Sequence, residues 1–137
     1  MSARFGPAGA SDSFAAMGYR SSLQMPEYLT CMGLDAFEYP CGRGVHIRED
    51  TARRLGAKAA QAGIRLSLHA PYYISLASAE PEKRANSVQY ILSSAQAADW
   101  MGADRVVIHP GGKGSMTRRE AMTLALQTFR QALDALD

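Results

Sequence analysis

The chain has 137 residues, 47% of them hydrophobic and 20% charged, with a formal net charge of +2 and two cysteines. That balance is ordinary for one globular domain, too weakly basic to argue nucleic-acid binding from bulk charge, and free of any apolar run near a membrane span. Cys31 and Cys41, without a CxxC or further partners, indicate neither a zinc knuckle nor a disulfide framework and are expected as reduced thiols. The opening MSARFGPAGASDS lacks the apolar stretch of a secretory signal, so the expected location is cytoplasmic.

Arg4 to Gly9 reads as a brief first strand ending in Gly-Pro-Ala-Gly, a segment that lets backbone approach a ligand closely. Ser11 to Ser22 is polar and glycine-interrupted, a loop with a helical turn. Gln24 to Met32 is predicted as a short helix: Pro26 suits its first turn, Leu29 and Met32 share a face with Met25 or Tyr28, and Gly33 supplies the stop. The second strand, Ala36 to Tyr39, is ended by Pro40 and followed by the loop Cys41-Gly42-Arg43-Gly44.

Ile47 to Ala62 is the second predicted helix. Ile47, Leu55 and Ala59 fall on one stripe, Arg48, Glu49, Arg53, Arg54 and Lys58 face away, and Gly63 caps it. The third strand is Ile64 to His69. After the loop Ala70 to Glu80, Pro81 starts a helix in which Val88, Ile91, Leu92, Ala95 and Ala98 recur at spacings of three and four until Gly102. The fourth strand is Arg105 to His109. Thr117 and Glu120 form a capping box for the last helix, whose buried stripe is predicted as Met122, Ala125, Leu126, Phe129, Leu133 and Leu136. It runs into Asp137 with no Gly, Asn or Pro stop, the pattern expected of a chain divided at a unit boundary.

Leu66, Leu68, Val106, Val107 and Ile108 read as strands buried on both faces, because a parallel sheet covered by helices shows continuous apolar runs. The expected class is therefore α/β: parallel βα units of a TIM barrel, four of the eight that a closed barrel of about 250 residues requires. A small open four-stranded sheet is the alternative, and its edges would expose apolar strands that natural proteins avoid. A half barrel of this kind is expected to be completed by a missing C-terminal half or by a second copy in a homodimer.

RLSLHAPYYISLAS (Arg65 to Ser78) and RVVIHPG (Arg105 to Gly111) each end an apolar run in a histidine, followed by a proline and loop residues. Ligands and metals collect at the carboxyl ends of parallel strands, so His69 and His109 are the candidates to converge on one point. The same stretch, HAPYYISLAS followed by VVIHPGG, resembles the endonuclease IV family of zinc-dependent AP endonucleases, which nick DNA at abasic sites. FGPAG and EYPCGRGV resemble that family's first and second strand ends. The resemblance runs along nearly the whole chain, as the N-terminal half of such a barrel.

It implies that His69 and His109 ligate zinc in a cluster of three, with the remaining ligands on strands outside this sequence. Phosphodiester cleavage needs a hydroxide nucleophile at neutral pH and neutralisation of charge on the attacking and leaving oxygens, and clustered zinc ions supply both. The resemblance also implies that Tyr72 enters the DNA stack beside the abasic nucleotide, as aromatic wedges do when they unstack a duplex. Tyr73 points elsewhere by the matching register. Arg43 and Lys113 are candidate phosphate contacts that position duplex DNA without reading sequence.

Glu38, at the end of the second strand, is the one carboxylate in a comparable place and a possible contact to metal or its water. Asp12 is weaker, and His46, just before a helix, reads as a surface or capping residue. Gly111, Gly112 and Gly114 fit neither a Walker loop nor a dinucleotide fingerprint. Two other readings accompany the nuclease: a sugar isomerase or epimerase on the same barrel, and a half barrel without catalysis.

Overall fold

The computed structural model describes residues 3–136. Its elements alternate as the sequence predicts: α1 (Asp12–Ala16), a 3-10 turn (Ser22–Gln24), α2 (Met25–Cys31), β1 (Ala36–Pro40), α3 (Glu49–Gln61), β2 (Arg65–His69), α4 (Pro81–Met101), β3 (Val106–Val107) and α5 (Arg118–Asp134). The strands lie in chain order, β1-β2-β3, and both pairings are parallel. Together they form part of a TIM barrel. Among the described residues no helix is long and apolar enough to cross a membrane.

The predicted first strand is present without strand regularity. Its Phe5 carbonyl accepts from the Ala36 N–H at 3.1 Å, its Pro7 carbonyl from Glu38 at 3.1 Å, and its Gly9 N–H donates to the Glu38 carbonyl at 3.0 Å. Pro7 has no N–H to give to a ladder, so the pairing reduces to one bridge, Ala8 to Glu38. A Cβ at Gly6 would stand 1.6 Å from the Ala36 carbonyl oxygen, so only glycine lets this segment lie against β1. The fourth predicted strand is likewise shorter: regular pairing covers Val106 and Val107 and stops before His109.

The expectation that the strands are buried on both faces fails. Phe37, Leu66 and Leu68 are buried under the helices, with Tyr39 and Val106 packed against the same cluster. The opposite face carries Ala36, Glu38, Ser67, His69 and Val107, none of them buried, and Val107 is 36% exposed. Helices cover one side of this sheet; the other, which faces the barrel axis, is open and mainly polar.

Helix boundaries fall close to expectation. Pro26 lies in the first turn of α2, Gly33 and Gly63 follow the C-caps of α2 and α3, and Gly102 caps α4 in a left-handed conformation. The Thr117–Glu120 capping box opens α5. Leu55 and Ala59 are buried as predicted, whereas Met32 is exposed. In α4 the buried stripe includes Ser87 and Ser94 as well as Val88, Ile91 and Ala98. The stripe predicted for α5 is partly right: Ala125 and Phe129 pack against the core, but the buried residues are Ala121, Thr128 and Ala132, while Met122, Leu126, Leu133 and Leu136 are exposed. Small residues let α5 approach the α4 layer closely, which turns the larger apolar residues outward. Asp137 lies outside the described residues.

Candidate functional site

The carboxyl ends of β2 and β3 bring both histidines to one place. His69 closes β2, where its register partners are Pro40 of β1 and Val107 of β3. Its carbonyl accepts from the Cys41 N–H at 3.0 Å, and the adjoining Ala70 N–H donates to the Val107 carbonyl at 2.9 Å. Backbone on both sides therefore fixes it. The His109 ring centroid is 4.9 Å from that of His69, with the planes inclined by 46°.

The ring nitrogens of His69 are distinguishable. Nδ1 lies 2.9 Å from the Ala70 carbonyl oxygen, which can only accept, so Nδ1 is the donor and Nε2 is the nitrogen available to a metal. A metal-binding imidazole is oriented by this kind of bond to a carbonyl. Half-buried His69 and exposed His109 thus offer donors suited to zinc. Among the described residues no three His, Cys, Asp or Glu side chains gather closely enough to hold a metal ion. The pair fits as part of a zinc site, since such sites use three or four protein ligands.

Tyr72 is 68% exposed, and its ring lies 6.0 Å from that of His69. Its N–H donates to the Gly42 carbonyl at 3.0 Å, which ties the loop after β2 to the loop after β1, where the next residue, Arg43, is exposed. Tyr73 instead lies 6.3 Å from Tyr90 of α4, ring to ring.

Glu38 is half-buried on the open face, in register with Ser67 and two residues before the Pro40 that partners His69. It occupies the layer below the histidines. Lys113 folds onto its own loop, where Nζ donates to the Met116 carbonyl at 3.2 Å, a bond that a phosphate would have to displace. His46 is exposed and packs on Gly44, and Asp12 is exposed in the first turn of α1. Cys41, next to the site in sequence, is buried, and burial pushes its thiol up to about 11. A thiol so protonated is a poor ligand.

Sequence reasoning missed how the two histidine-bearing loops are joined. The Leu76 N–H donates to the Pro110 carbonyl at 2.9 Å, directly after His109. A Cβ on Gly111 would meet the Ser75 Cα at 2.9 Å, so the loops touch backbone to backbone. The glycine in HPGG was the only visible signal.

A family profile described as Xylose isomerase-like TIM barrel matches residues 27–137. An uncharacterized protein of Methanocaldococcus jannaschii is 31% identical over 131 residues, which cover 96% of this chain and 44% of that protein. A probable endonuclease 4 of Acholeplasma laidlawii is 33% identical over 67 residues, 49% of this chain and 23% of that protein. The chain therefore spans less than half the length of either relative. Among solved structures, 3-keto-D-glucoside 4-epimerase from E. coli superposes with a TM-score of 0.70 at 15% identity, over 95% of this chain and 51% of that one. Endonuclease IV from Thermus thermophilus gives 0.58 at 24% identity, over 92% and 45%.

Proposed function

Since the chain belongs to the xylose isomerase-like TIM-barrel family, we propose that it is the N-terminal half of a zinc-dependent endonuclease that hydrolyses DNA beside abasic sites, on their 5′ side. The observation that carries the reading is the pair of imidazoles 4.9 Å apart at adjacent strand ends. The 33% identity over 67 residues to the probable endonuclease 4 of A. laidlawii favours a nuclease among the activities of this family.

In this reading His69 and His109 hold zinc, with His69 presenting Nε2 because Nδ1 is engaged by Ala70. Zinc held there would supply Lewis acidity to a phosphodiester and neutralise charge as the bond breaks. Tyr72, exposed beside the pair, stacks against the distorted duplex where the base is missing. Arg43, and Lys113 once released from its loop carbonyls, contact the DNA backbone. Glu38 lies a layer deeper, where it could orient water or a partner ligand. Two histidines fall short of a catalytic zinc site, so the 137-residue chain alone is inactive. The remaining ligands come from the other half of the barrel, which also covers the open sheet face; a second copy is the substitute when that half is absent.

The test is a duplex carrying a single abasic site, incubated with the zinc-loaded complete protein. Nicking that is lost with a chelator and with His109→Ala is expected. A second reading, a ketose or aldose epimerase, draws on the higher TM-score to 3-keto-D-glucoside 4-epimerase. Sugar turnover without cleavage of abasic DNA would replace the first reading with the second.

A further inference from the structure

His109 lies beyond the paired part of β3, precedes a proline that has no N–H, and is exposed to solvent. The β-ladder therefore does not hold it. The neighbouring residue is held: the Pro110 carbonyl accepts from the Leu76 N–H at 2.9 Å. Leu76 is in turn fixed from its other side, because its carbonyl accepts from the Thr128 hydroxyl at 2.8 Å. Thr128 is 2% exposed, in the middle of α5, more than fifty residues away along the chain.

We propose that Thr128 is a positioning residue for the histidine pair, acting through the Leu76 peptide and Pro110 to set His109 against His69. The inference rests on reading those histidines as metal ligands. A threonine in a helix can satisfy its hydroxyl on the carbonyl four residues back, and here the Leu124 carbonyl is available at 3.0 Å. That bond alone would suffice for Thr128. The shorter contact goes to Leu76, a buried loop peptide whose carbonyl needs a partner when water is excluded.

A second buried hydroxyl acts on the preceding residue. Ser87 of α4, 0% exposed, accepts from the Ser75 N–H at 2.8 Å and donates to the Lys83 carbonyl at 2.8 Å. Ser75 is also where Gly111 presses, in a conformation with φ of +83° that other residues rarely adopt. Ser75 and Leu76 thus form a node that joins α4, α5 and both histidine loops. Thr128 supplies the α5 side of it.

The experiment compares Thr128→Val, which keeps the shape and removes the donor, with Thr128→Ser, which keeps the donor. Two readouts are taken on the complete protein: amide hydrogen exchange at Leu76 and zinc affinity by calorimetry. In T128V the Leu76 amide should exchange ~10-fold faster and zinc affinity should fall ~10-fold, the range seen when groups that orient metal ligands are removed. T128S should retain both. Should T128V fail to fold, T128A carries the same expectations, since it places no methyl against the Leu76 carbonyl. Unchanged Leu76 exchange, or zinc bound as tightly as by the unaltered chain, overturns the proposal. If the complete protein, with the other half of the barrel present, takes no zinc, the ligand reading fails by itself, and exchange at Leu76 together with the His69–His109 ring contact in T128V decides the positioning role.

Discussion

His69 and His109 stand ring to ring at 4.9 Å although they belong to different strands and His109 lies past the last paired residue of β3. Removing either imidazole should cost the protein at least ~10-fold in zinc affinity, because a site already short of ligands loses one more. Without zinc, His109→Ala should stay within about 0.5 kcal/mol of the unaltered chain's stability, because His109 is exposed. Calorimetric zinc titration and thermal melts check this; affinity equal to the unaltered chain's in both variants removes the pair from the site.

Gly56→Ala should destabilise the chain. A Cβ at that position would stand 2.4 Å from the Met101 carbonyl oxygen, where α3 crosses the end of α4, and no flexible side chain is there to yield. Overpacking of this kind costs about 1–3 kcal/mol. Urea unfolding should show a lower midpoint at unchanged slope.

Cys31 and Cys41 should differ sharply towards an alkylating reagent. Cys31 is exposed; Cys41 is buried, and burial raises its thiol to about 11. At pH 8 roughly one Cys41 in a thousand is thiolate, even before access is considered. Peptide mapping after iodoacetamide should find Cys31 modified and Cys41 modified only after unfolding.

The cap of α5 should give a pH-dependent contribution to stability. Hydrogen bonds from the Thr117 hydroxyl and N–H hold the Glu120 carboxyl below its ordinary value. A carboxylate lowered in the folded state stabilises above its unfolded pKa, and that contribution is lost as pH falls through the folded one. Melting temperatures of the unaltered chain and Glu120→Gln should therefore differ near neutral pH and converge in acid.

The exposed flank of α5 should drive self-association of the isolated chain. Met122, Leu126, Leu133 and Leu136 are all exposed on it. Covering a few hundred Å² of apolar surface is worth several kcal/mol at about 25 cal/mol per Å². Sedimentation at micromolar concentration should detect dimer, and Met122→Glu with Leu126→Glu should return it to monomer. A monomer from the outset would refute the expectation.

The order of units was readable because each physical cause is local. Apolar runs mark strands, Pro26 and Pro81 mark helix starts, Gly33, Gly63 and Gly102 mark ends, and T-x-x-E marks a cap. The convergence of His69 and His109 was readable too, since parallel strands in register place equivalent ends together. Periodicity locates a stripe on α5 without fixing its centre, and the small residues Ala121, Thr128 and Ala132 are buried while only Ala125 and Phe129 of the predicted stripe pack on the core. Val107 looked buried because apolar runs suit covered strands, yet its face of the sheet is open. Ser87 and Thr128 carried no signal, because a hydroxyl inside a helix gives no hint that a distant loop peptide will need it.

The polar contacts that assemble the site fall almost entirely between β2 and α5. Both histidines, Tyr72, the Leu76 peptide, Pro110, Gly111, Ser87 and Thr128 belong to one uninterrupted stretch, while the earlier part of the chain contributes backbone atoms of Gly42 and Cys41. Backbone contacts of that sort do not depend on which side chains stand there. The stretch from Arg65 to Asp134 therefore carries its own polar ties, while Leu66, Leu68, Ala97 and Met101 share a core with Phe37, Leu55 and Ala59; placed behind the first units of a related barrel, it should keep its histidine geometry where those apolar partners are matched.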